Sequence, residues 1–259
     1  MPAADLALLV TAAREAGEIA LGHWRRNPEV WDKGGDDPVS EADFAVDRHL
    51  RERLLAARPG YGWLSEETPD TTDRLDRDRV FIVDPIDGTR AFVAGEKTWA
   101  HSLAVAEAGV VTAGVVFLPA VNRLYAAARG EGATLQDAPI AASARTEAKG
   151  AQVLANKANF EPGHWTIPPD DLQRSFRPSL AYRLALVGEG RFDAMLTLRD
   201  AWEWDIAAGA VIIAEAGGIV TDRTGAAIRF NDPGARAPGV LAAAPGIHGA
   251  LLARLAAAA

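Results

Sequence analysis

The sequence contains no cysteine in its 259 residues. Without cysteine, the chain can form no disulfide, no thiolate nucleophile and no metal site with thiolate ligands. It also lacks a continuous apolar run of about 18 residues, the shortest length typical of a membrane-spanning helix. No basic stretch followed by a short apolar run and a cleavage site begins the chain, so no secretory leader is predicted. These absences predict a cytoplasmic protein that does not bind membranes.

Positive charge is scarce, because 27 lysine and arginine residues face 35 aspartate and glutamate residues, which gives a formal net charge of −8. This balance argues against a nucleic-acid polymer as the partner. Nucleotide-binding loops are missing as well. The chain has no P-loop, and the stretch at 188–193 lacks the third glycine of a dinucleotide-binding loop. The five histidines show no i, i+4 spacing, so they are interpreted as structural or surface residues.

Predicted helices and strands alternate along the chain. The spacing of apolar residues predicts helices over 3–24, 41–57, 180–187, 205–216 and 247–256. Short apolar runs predict strands over 80–83, 103–106, 110–117, 124–127, 133–135, 152–155, 192–196, 218–221 and 240–243. Small and turn-like residues at 138–150 predict a boundary between a domain at 1–145 and a domain at 146–259. Interleaved elements of this kind predict a layered α/β or α+β fold.

The stretch at 84–89 reads Asp-Pro-Ile-Asp-Gly-Thr and follows a buried apolar strand. A carboxylate at the end of such a strand is costly unless it meets a cation or hydrogen-bond donors. Asp84 and Asp87 are three residues apart and could converge on hard cations. Gly88 and Thr89 would begin the next helix, where free backbone N–H groups bind an anion such as phosphate. This combination is typical of metal-assisted phosphoryl hydrolysis. An Asx turn that caps the helix is the alternative interpretation.

Other acidic residues stand at the ends of predicted elements. Glu66 and Glu67 follow a short extended segment. Because adjacent residues of a strand face opposite ways, one of the two could enter a metal site while the other faces solvent. Asp43 stands three residues after Ser40, which matches a helix N-cap, so Asp43 is predicted to be the acid of a capping box.

Asp205 is predicted to be the first residue of the apolar helix at 205–216. It is either an N-cap with no further role or a carboxylate that the second half of the chain supplies to a metal held by the first half. Small residues at 207–209 would allow the helix to approach its neighbour closely.

Together these features resemble the inositol monophosphatase superfamily of magnesium-dependent, lithium-sensitive phosphatases. The matching strings are Leu-Ser-Glu-Glu at 64–67, Asp-Pro-Ile-Asp-Gly-Thr at 84–89 and Trp-Asp-Ile-Ala-Ala-Gly at 204–209, with lesser matches at Lys33, 39–43 and 215–218. The resemblance covers nearly the whole chain. One departure is Ser65, where the family often has glycine before the glutamate pair, and we expect this change to be tolerated.

The resemblance implies a two-part αβαβα layered sandwich with the active site between the parts, and a homodimer. One metal ion would be bound by Glu66, Asp84 and the carbonyl of Ile86. A second would be bound by Asp84, Asp87 and Asp205, and a third, weaker ion would use Glu66 and waters. Asp84 would bridge the first two ions. Ligands that are all oxygen select Mg²⁺, with Mn²⁺ as a substitute.

The resemblance also implies the reaction, which is direct in-line attack on a phosphate ester by a water that the metals activate. Thr89 and Asp43 would form a hydrogen-bonded pair that helps to activate this water, and Glu66 would orient it. The backbone N–H groups of Gly88 and Thr89 would hold the phosphate. The expected partner is a small phosphorylated metabolite.

Residues of the second half are expected to select the substrate. Arg183 lies near the position where the bacterial 3′(2′),5′-bisphosphate nucleotidases carry a lysine, and a cation there suits a second phosphate. Glu203 could accept a hydrogen bond from a sugar hydroxyl, and Asp87 is also assigned to substrate binding, whereas Arg199 is interpreted as a surface residue. The favoured substrate is therefore 3′-phosphoadenosine 5′-phosphate. Inositol 1-phosphate and other sugar phosphates, including histidinol phosphate, are the alternatives.

Two interpretations come from other classes of protein. An aspartyl-phosphate phosphatase has a single residue between its two aspartates, whereas two residues separate Asp84 and Asp87, and it would leave Glu66 and Asp205 unexplained. A trapped covalent aspartyl phosphate would support it. A catalytically silent regulator that binds metal or phosphate would be expected to have lost a ligand, yet all of the implied ligands are present.

Overall fold

The computed structural model describes residues 2–32, 34 and 38–256, so Lys33 lies outside the described residues. In these residues the chain forms six α-helices: α1 (Pro2–His23), α2 (Glu41–Ala57), α3 (Thr89–Val93), α4 (Leu180–Gly188), α5 (Glu203–Glu215) and α6 (Pro245–Leu252). Apolar periodicity predicts five of them, and α3 is the helix expected after Gly88. No helix of the described residues is long and apolar enough to cross a bilayer.

The first half of the chain builds a seven-stranded sheet. A short antiparallel pair, β1 (Val30–Asp32) and β2 (Pro38–Ser40), precedes it. The strands of the sheet, in spatial order, are β3 (Gly62–Ser65), β4 (Arg79–Asp87), β5 (Ala100–Glu107), β6 (Val110–Leu118), β7 (Arg123–Ala128), β8 (Gly132–Leu135) and β9 (Ala138–Pro139). β3 and β4 are parallel, and the other neighbours are antiparallel.

The second half contributes the remaining strands, β10 (Gln152–Leu154), β11 (Gln173–Ser175), β12 (Ala194–Thr197), β13 (Ala201–Trp202), β14 (Ile219–Thr221), β15 (Arg236–Ala237) and β16 (Val240–Ala243). Five of them form a sheet in the order β11-β10-β12-β16-β14, and β13 pairs with β15. β10 is parallel to both of its neighbours, whereas β16 is antiparallel to both of its own. The segment at 156–178 contains two 3₁₀ turns and β11.

Three apolar clusters hold these layers together. α1 and α2 cover one face of the seven-stranded sheet, where Leu50 packs in one cluster with Phe81. α4 and α5 fill the space between the two sheets, in a cluster that joins Ile82 of the first sheet to Met195 of the second. A third cluster covers the outer face of the second sheet and includes Ile247 of α6. The order of layers confirms the αβαβα sandwich that the resemblance implies.

The helix that carries Asp205 begins earlier than predicted. Glu203 is the first residue of α5 and Trp202 is its N-cap, so Asp205 is the third helical residue. The interpretation of Asp205 as an N-cap is therefore wrong. A carboxylate in the first turn of a helix still interacts favourably with the helix dipole.

α5 packs closely against both of its neighbours. A Cβ atom on Gly209 would overlap the Leu184 side chain of α4. A Cβ atom on Gly114 of β6 would lie 2.9 Å from the Cα atom of Ala208. Small residues at these positions therefore allow α5 to sit between the sheets at a fixed depth.

Candidate active site

Three carboxylates converge between the two halves of the chain. Asp84 and Asp87 lie at the end of β4, and Asp205 lies in the first turn of α5. One oxygen atom from each carboxylate lies within 4.8 Å of the other two. Asp84 and Asp87 are buried. The stretch at 84–89 and the start of α5 thus supply a single site.

The end of β4 is irregular where it carries the two carboxylates. Its pairing with β5 is regular from Arg79 to Asp84 and shifts between Asp84 and Asp87. In a regular strand, residues three positions apart face opposite sides of the sheet. The irregularity, which includes Pro85, allows both carboxylates to face the same cavity.

The electrostatics of the cluster favour a bound cation. Burial, followed by the charge of Glu66, raises the pKa of the Asp84 carboxyl well above its usual value. Burial and then the charge of Asp87 do the same for Asp205. Moreover, Oδ1 of Asp84 is buried with no hydrogen-bond partner, which is costly unless a cation compensates. All of the candidate metal ligands are oxygen atoms, so the residues present fit Mg²⁺ or Mn²⁺.

Asp87 is held by the second half of the chain. Its Oδ2 atom accepts hydrogen bonds of 2.6 Å from the Ser179 hydroxyl and from the backbone N–H of Ala181. Ser179 is the N-cap of α4, and its hydroxyl oxygen also accepts from the N–H of Tyr182. Burial raises the pKa of Asp87, and the hydrogen bonds oppose this rise. The cap of α4 therefore orients one carboxylate of the cluster.

Asp43 and Thr89 form a polar pair beside the cluster. Oγ1 of Thr89 lies 3.2 Å from Oδ1 of Asp43 and 3.1 Å from the carbonyl oxygen of Ile86. The hydroxyl has one proton, so it donates to one of these acceptors at a time. Oδ2 of Asp43 accepts from the backbone N–H and the hydroxyl of Ser40, at 2.8 and 2.6 Å. Burial raises the pKa of Asp43 to about 6.

Glu66 reaches the site from the end of β3. Its backbone N–H donates to the carbonyl oxygen of Val83 at 3.3 Å, which continues the pairing of β3 with β4. This pairing places Glu66 beside Asp84, whose pKa its charge helps to raise. Glu66 lines the same cavity as Asp87 and Asp205.

The cluster opens into a cavity of about 760 Å³. Three arginines, Arg90, Arg183 and Arg199, contribute positive charge to its walls. The sequence predicts Arg199 on the surface, and Arg199 is exposed while it also lines the cavity. Phe176 and Trp202 also line the cavity and are 44% and 36% exposed. Trp202 stacks on Trp204 with their ring centroids 4.6 Å apart.

Arg183 is a buried cation beside the carboxylates. Its guanidinium donates to the backbone carbonyls of Arg177 and Pro178, which fix its orientation. Its central carbon lies 4.6 Å from the centre of the Phe176 ring. Burial lowers the pKa of Arg183 to about 10, and the charge of Asp87 opposes this effect. The side chain therefore stays positively charged at neutral pH.

Glu203 does not enter this cavity. Its two carboxylate oxygens accept the backbone N–H groups of Asn231 and Asp232, at 2.6 and 2.7 Å. Arg74 donates to the side chain of Asn231 and the carbonyl of Asp232, and pairs with Asp70 at 2.8 Å. The predicted contact between Glu203 and a substrate hydroxyl is therefore wrong. This carboxylate instead joins the start of α5 to the loop at 231–232.

Two contacts of the site involve residues to which the sequence assigned no role there. Ser179 binds Asp87, and its signal in the sequence was a serine before an apolar helix, which is typical of an N-cap. Asp47 accepts hydrogen bonds from the hydroxyls of Ser65 and Thr68, which flank Glu66. Only its helical spacing from Asp43 marked Asp47 as a residue on the same face of α2.

The layered sandwich and the buried carboxylate cluster between its halves fit a phosphoric monoester hydrolase, the class that the family and the relatives below support. The chain belongs to the inositol monophosphatase family, whose model it matches over residues 3–259. It is 37% identical over 223 residues to an inositol-1-monophosphatase of Rhizobium meliloti (strain 1021), covering 82% of this chain and 80% of that one. It is 31% identical over 227 residues to a histidinol-phosphatase of Chlorobaculum parvum (strain DSM 263 / NCIMB 8327), covering 85% and 86%. The solved structure of the extragenic suppressor protein suhB from Bartonella henselae superposes with a TM-score of 0.82 at 30% identity, over 96% of this chain and 97% of that one.

Proposed function

We propose that this protein is a Mg²⁺-dependent phosphomonoesterase that releases inorganic phosphate from a small phosphorylated metabolite. The observation that carries the proposal is the convergence of Asp84, Asp87 and Asp205 within 4.8 Å, with an oxygen of Asp84 buried and unpartnered. These three carboxylates, with Glu66 and the carbonyl of Ile86, would hold two or three cations. Divalent cations bound there lower the pKa of a water molecule and neutralise the oxygens of the phosphate.

We assign to Thr89 and Asp43 the hydrogen bonding that activates the attacking water and accepts its proton. When Thr89 donates to Asp43, the lone pairs of its oxygen can accept a hydrogen bond from that water, which fixes the direction of attack. The carbonyl of Ile86, the other acceptor within reach of Thr89, is then left to a cation. Glu66 orients the water, and the backbone N–H groups of Gly88 and Thr89 bind the phosphate.

We further propose that the substrate carries a second phosphate, as a nucleoside 3′,5′-bisphosphate does. Arg183 supports this assignment, because its guanidinium lines the cavity and is oriented by two backbone carbonyls before any ligand binds. A guanidinium fixed in this way suits a phosphate group. Arg90 and Arg199 add positive charge to the same cavity, and the exposed ring of Phe176 suits a planar base.

Inositol 1-phosphate is the second candidate, favoured by the 37% identity to the inositol-1-monophosphatase of Rhizobium meliloti. The two candidates differ in what they require of Arg183. A bisphosphate brings an anionic partner for this guanidinium, whereas inositol 1-phosphate uses its only phosphate at the carboxylate cluster.

The test is phosphate release with Mg²⁺ on 3′-phosphoadenosine 5′-phosphate, inositol 1-phosphate and histidinol phosphate, measured side by side. We expect the highest kcat/KM with the bisphosphate. Asp87→Asn should abolish activity on all three. Asp193→Asn, which changes a buried aspartate of the second half outside the cavity lining, is the matched control and should retain it.

The possible results test the phosphatase activity and the bisphosphate substrate separately. A preference for inositol 1-phosphate or histidinol phosphate would overturn the bisphosphate assignment and leave the phosphatase standing. Full activity in Asp87→Asn would overturn the metal site itself. We also propose a homodimer that is inhibited by lithium, which light scattering and titration of the assay with Li⁺ would test.

A further inference from the structure

We infer that Asp47 is a positioning residue for Glu66, an inference that rests on the proposed function of the site. Asp47 lies on α2, one helical turn after Asp43. It is 7% exposed, and it is not among the described residues that line the cavity. Asp47 therefore reaches neither a substrate nor a cation at the cluster. What it contacts is the segment that carries Glu66.

Both oxygens of the Asp47 carboxylate bind hydroxyl groups of that segment. The Ser65 hydroxyl donates to Oδ1, and the Thr68 hydroxyl donates to Oδ2 at 2.7 Å. The indole N–H of Trp63 donates to the oxygen of Thr68 at 3.2 Å, so this hydroxyl is oriented by a chain of two hydrogen bonds. The two bound hydroxyls stand on either side of Glu66 in the sequence. One carboxylate thus clamps the peptide before and after this side chain.

The clamp acts together with the sheet. The backbone N–H of Glu66 is bonded to Val83 of β4, which fixes the segment relative to Asp84. Asp47 fixes the same segment relative to α2. Because α2 also carries Asp43, one rigid helix sets the position of Glu66 relative to the Asp43–Thr89 pair. Residues that orient a metal ligand in this way tune its affinity for the ion without touching the ion.

The clamp gives a structural role to the departure at Ser65. Glycine, the residue that the resemblance leads us to expect at this position, has no hydroxyl to donate to Asp47. In this chain the serine hydroxyl is one of the two groups that the Asp47 carboxylate binds. Ser65 and Asp47 therefore act together and should be tested as a pair.

The experiment measures binding of Mn²⁺ to the metal-free protein by electron paramagnetic resonance, beside phosphate release and thermal melting. Asp47→Asn keeps the shape of the side chain but offers one acceptor oxygen for two hydroxyls. We expect it to bind Mn²⁺ about 10- to 100-fold more weakly than the wild type. Ser65→Ala should weaken binding in the same direction, and the double variant should lose less than the product of the two effects.

Asp193→Asn is the matched control. Asp193 is 8% exposed, accepts a serine hydroxyl at 2.6 Å and stands outside the cavity lining. This variant should lower the melting temperature and leave Mn²⁺ affinity unchanged. If Asp47 had a purely structural role, Asp47→Asn would give the same result.

Wild-type Mn²⁺ affinity in Asp47→Asn, or an equal loss in Asp193→Asn, would overturn the inference and leave the proposed function intact. A wild-type protein that binds no Mn²⁺ and hydrolyses no phosphate ester would instead overturn the proposed function, and the inference with it. If Asp47→Asn does not fold, Ser65→Ala and Thr68→Val, which each remove one hydroxyl, provide the same measurement.

Discussion

The Asp87 carboxylate and the Ser179 hydroxyl, 92 residues apart in the sequence, are joined by a hydrogen bond of 2.6 Å. The same hydroxyl oxygen accepts the N–H of Tyr182 and so caps α4. One side chain thus completes a helix of the second half and orients a carboxylate of the first. The stability of α4 and the geometry of the cluster depend on the same atom.

Replacing Ser179 with alanine should therefore cost both stability and affinity for the metal. Loss of the cap lowers the free energy of unfolding by about 1 kcal/mol, and loss of the bond to Asp87 raises the Mg²⁺ concentration for half-maximal activity about 10-fold. Urea denaturation and Mg²⁺ titration of phosphate release measure the two effects. Ser143→Ala, which removes a hydroxyl bound to Asp193 outside the cavity lining, should affect stability alone. Unchanged Mg²⁺ dependence in Ser179→Ala would limit Ser179 to capping.

Asp84 should destabilise the metal-free protein at neutral pH. An acid whose pKa is raised on folding holds a proton that the unfolded chain has already released. The free energy of unfolding therefore falls as the pH rises from about 3.8, the unfolded value, through the raised value of the folded state. In EDTA at pH 8, Asp84→Asn should unfold at a higher urea concentration than the wild type, and the difference should shrink towards pH 4.

Asp222→Asn is the matched control, and we expect it to change the stability in the opposite direction. Oδ1 of Asp222 is satisfied by Thr224, through its N–H and hydroxyl, and by the N–H of Ala226. Asp222→Asn should therefore be less stable than the wild type under the same conditions. A metal-free Asp84→Asn that is no more stable than the wild type at pH 8 would show that the cluster carries no electrostatic strain.

Glu203→Gln should affect folding and leave substrate affinity unchanged. Glutamine replaces one oxygen with an NH₂ group, which would face a backbone N–H that now lacks an acceptor. We expect a loss of about 1–3 kcal/mol in the free energy of unfolding. The KM for each substrate should stay within about twofold of the wild type, because Glu203 lies outside the cavity lining. A KM that rises for one substrate alone would restore Glu203 as a contact.

Arg183→Met should discriminate between the candidate substrates. A charge-assisted hydrogen bond is worth about 1.5–3 kcal/mol, so its loss should lower kcat/KM for 3′-phosphoadenosine 5′-phosphate about 10- to 100-fold. The loss for inositol 1-phosphate should be much smaller, and Arg183→Lys should recover part of the activity on the bisphosphate. Steady-state kinetics on both substrates measure the difference. Equal losses on both would assign Arg183 to the carboxylate cluster, since its charge also faces Asp87.

Local chemistry explains what the sequence could predict. The positions of α2 and α4 follow from apolar spacing and from a capping serine at each N-terminus, signals that lie within one or two turns of the chain. The candidate ligands at 84–89 stand out because carboxylates, a proline and a glycine at the end of an apolar strand have few structural uses.

The contacts that orient these groups depend on the tertiary fold. Glu203 stands beside the Trp-Asp pair in the sequence, yet its acceptors are used by the loop at 231–232, which no local pattern indicates. The same holds for Asp47, because its spacing from Asp43 identifies a shared helix face but not the hydroxyls packed against it. The sequence predicts that this helix begins at Asp205, two residues late, because the charged Glu203 at the first helical position interrupts the apolar pattern.

The packing of α5 makes the geometry of the carboxylate cluster sensitive to side-chain volume at positions that carry no charge. Gly209 and Gly114 leave no room for a methyl group, and α5 carries Asp205 on its first turn. An added methyl group would shift α5 along its axis or away from the sheet. The Asp205 carboxylate would move with the helix. Uncharged substitutions in the buried interior therefore change the spacing of the carboxylates. Substitutions can therefore alter the geometry of the carboxylate cluster without replacing any polar group.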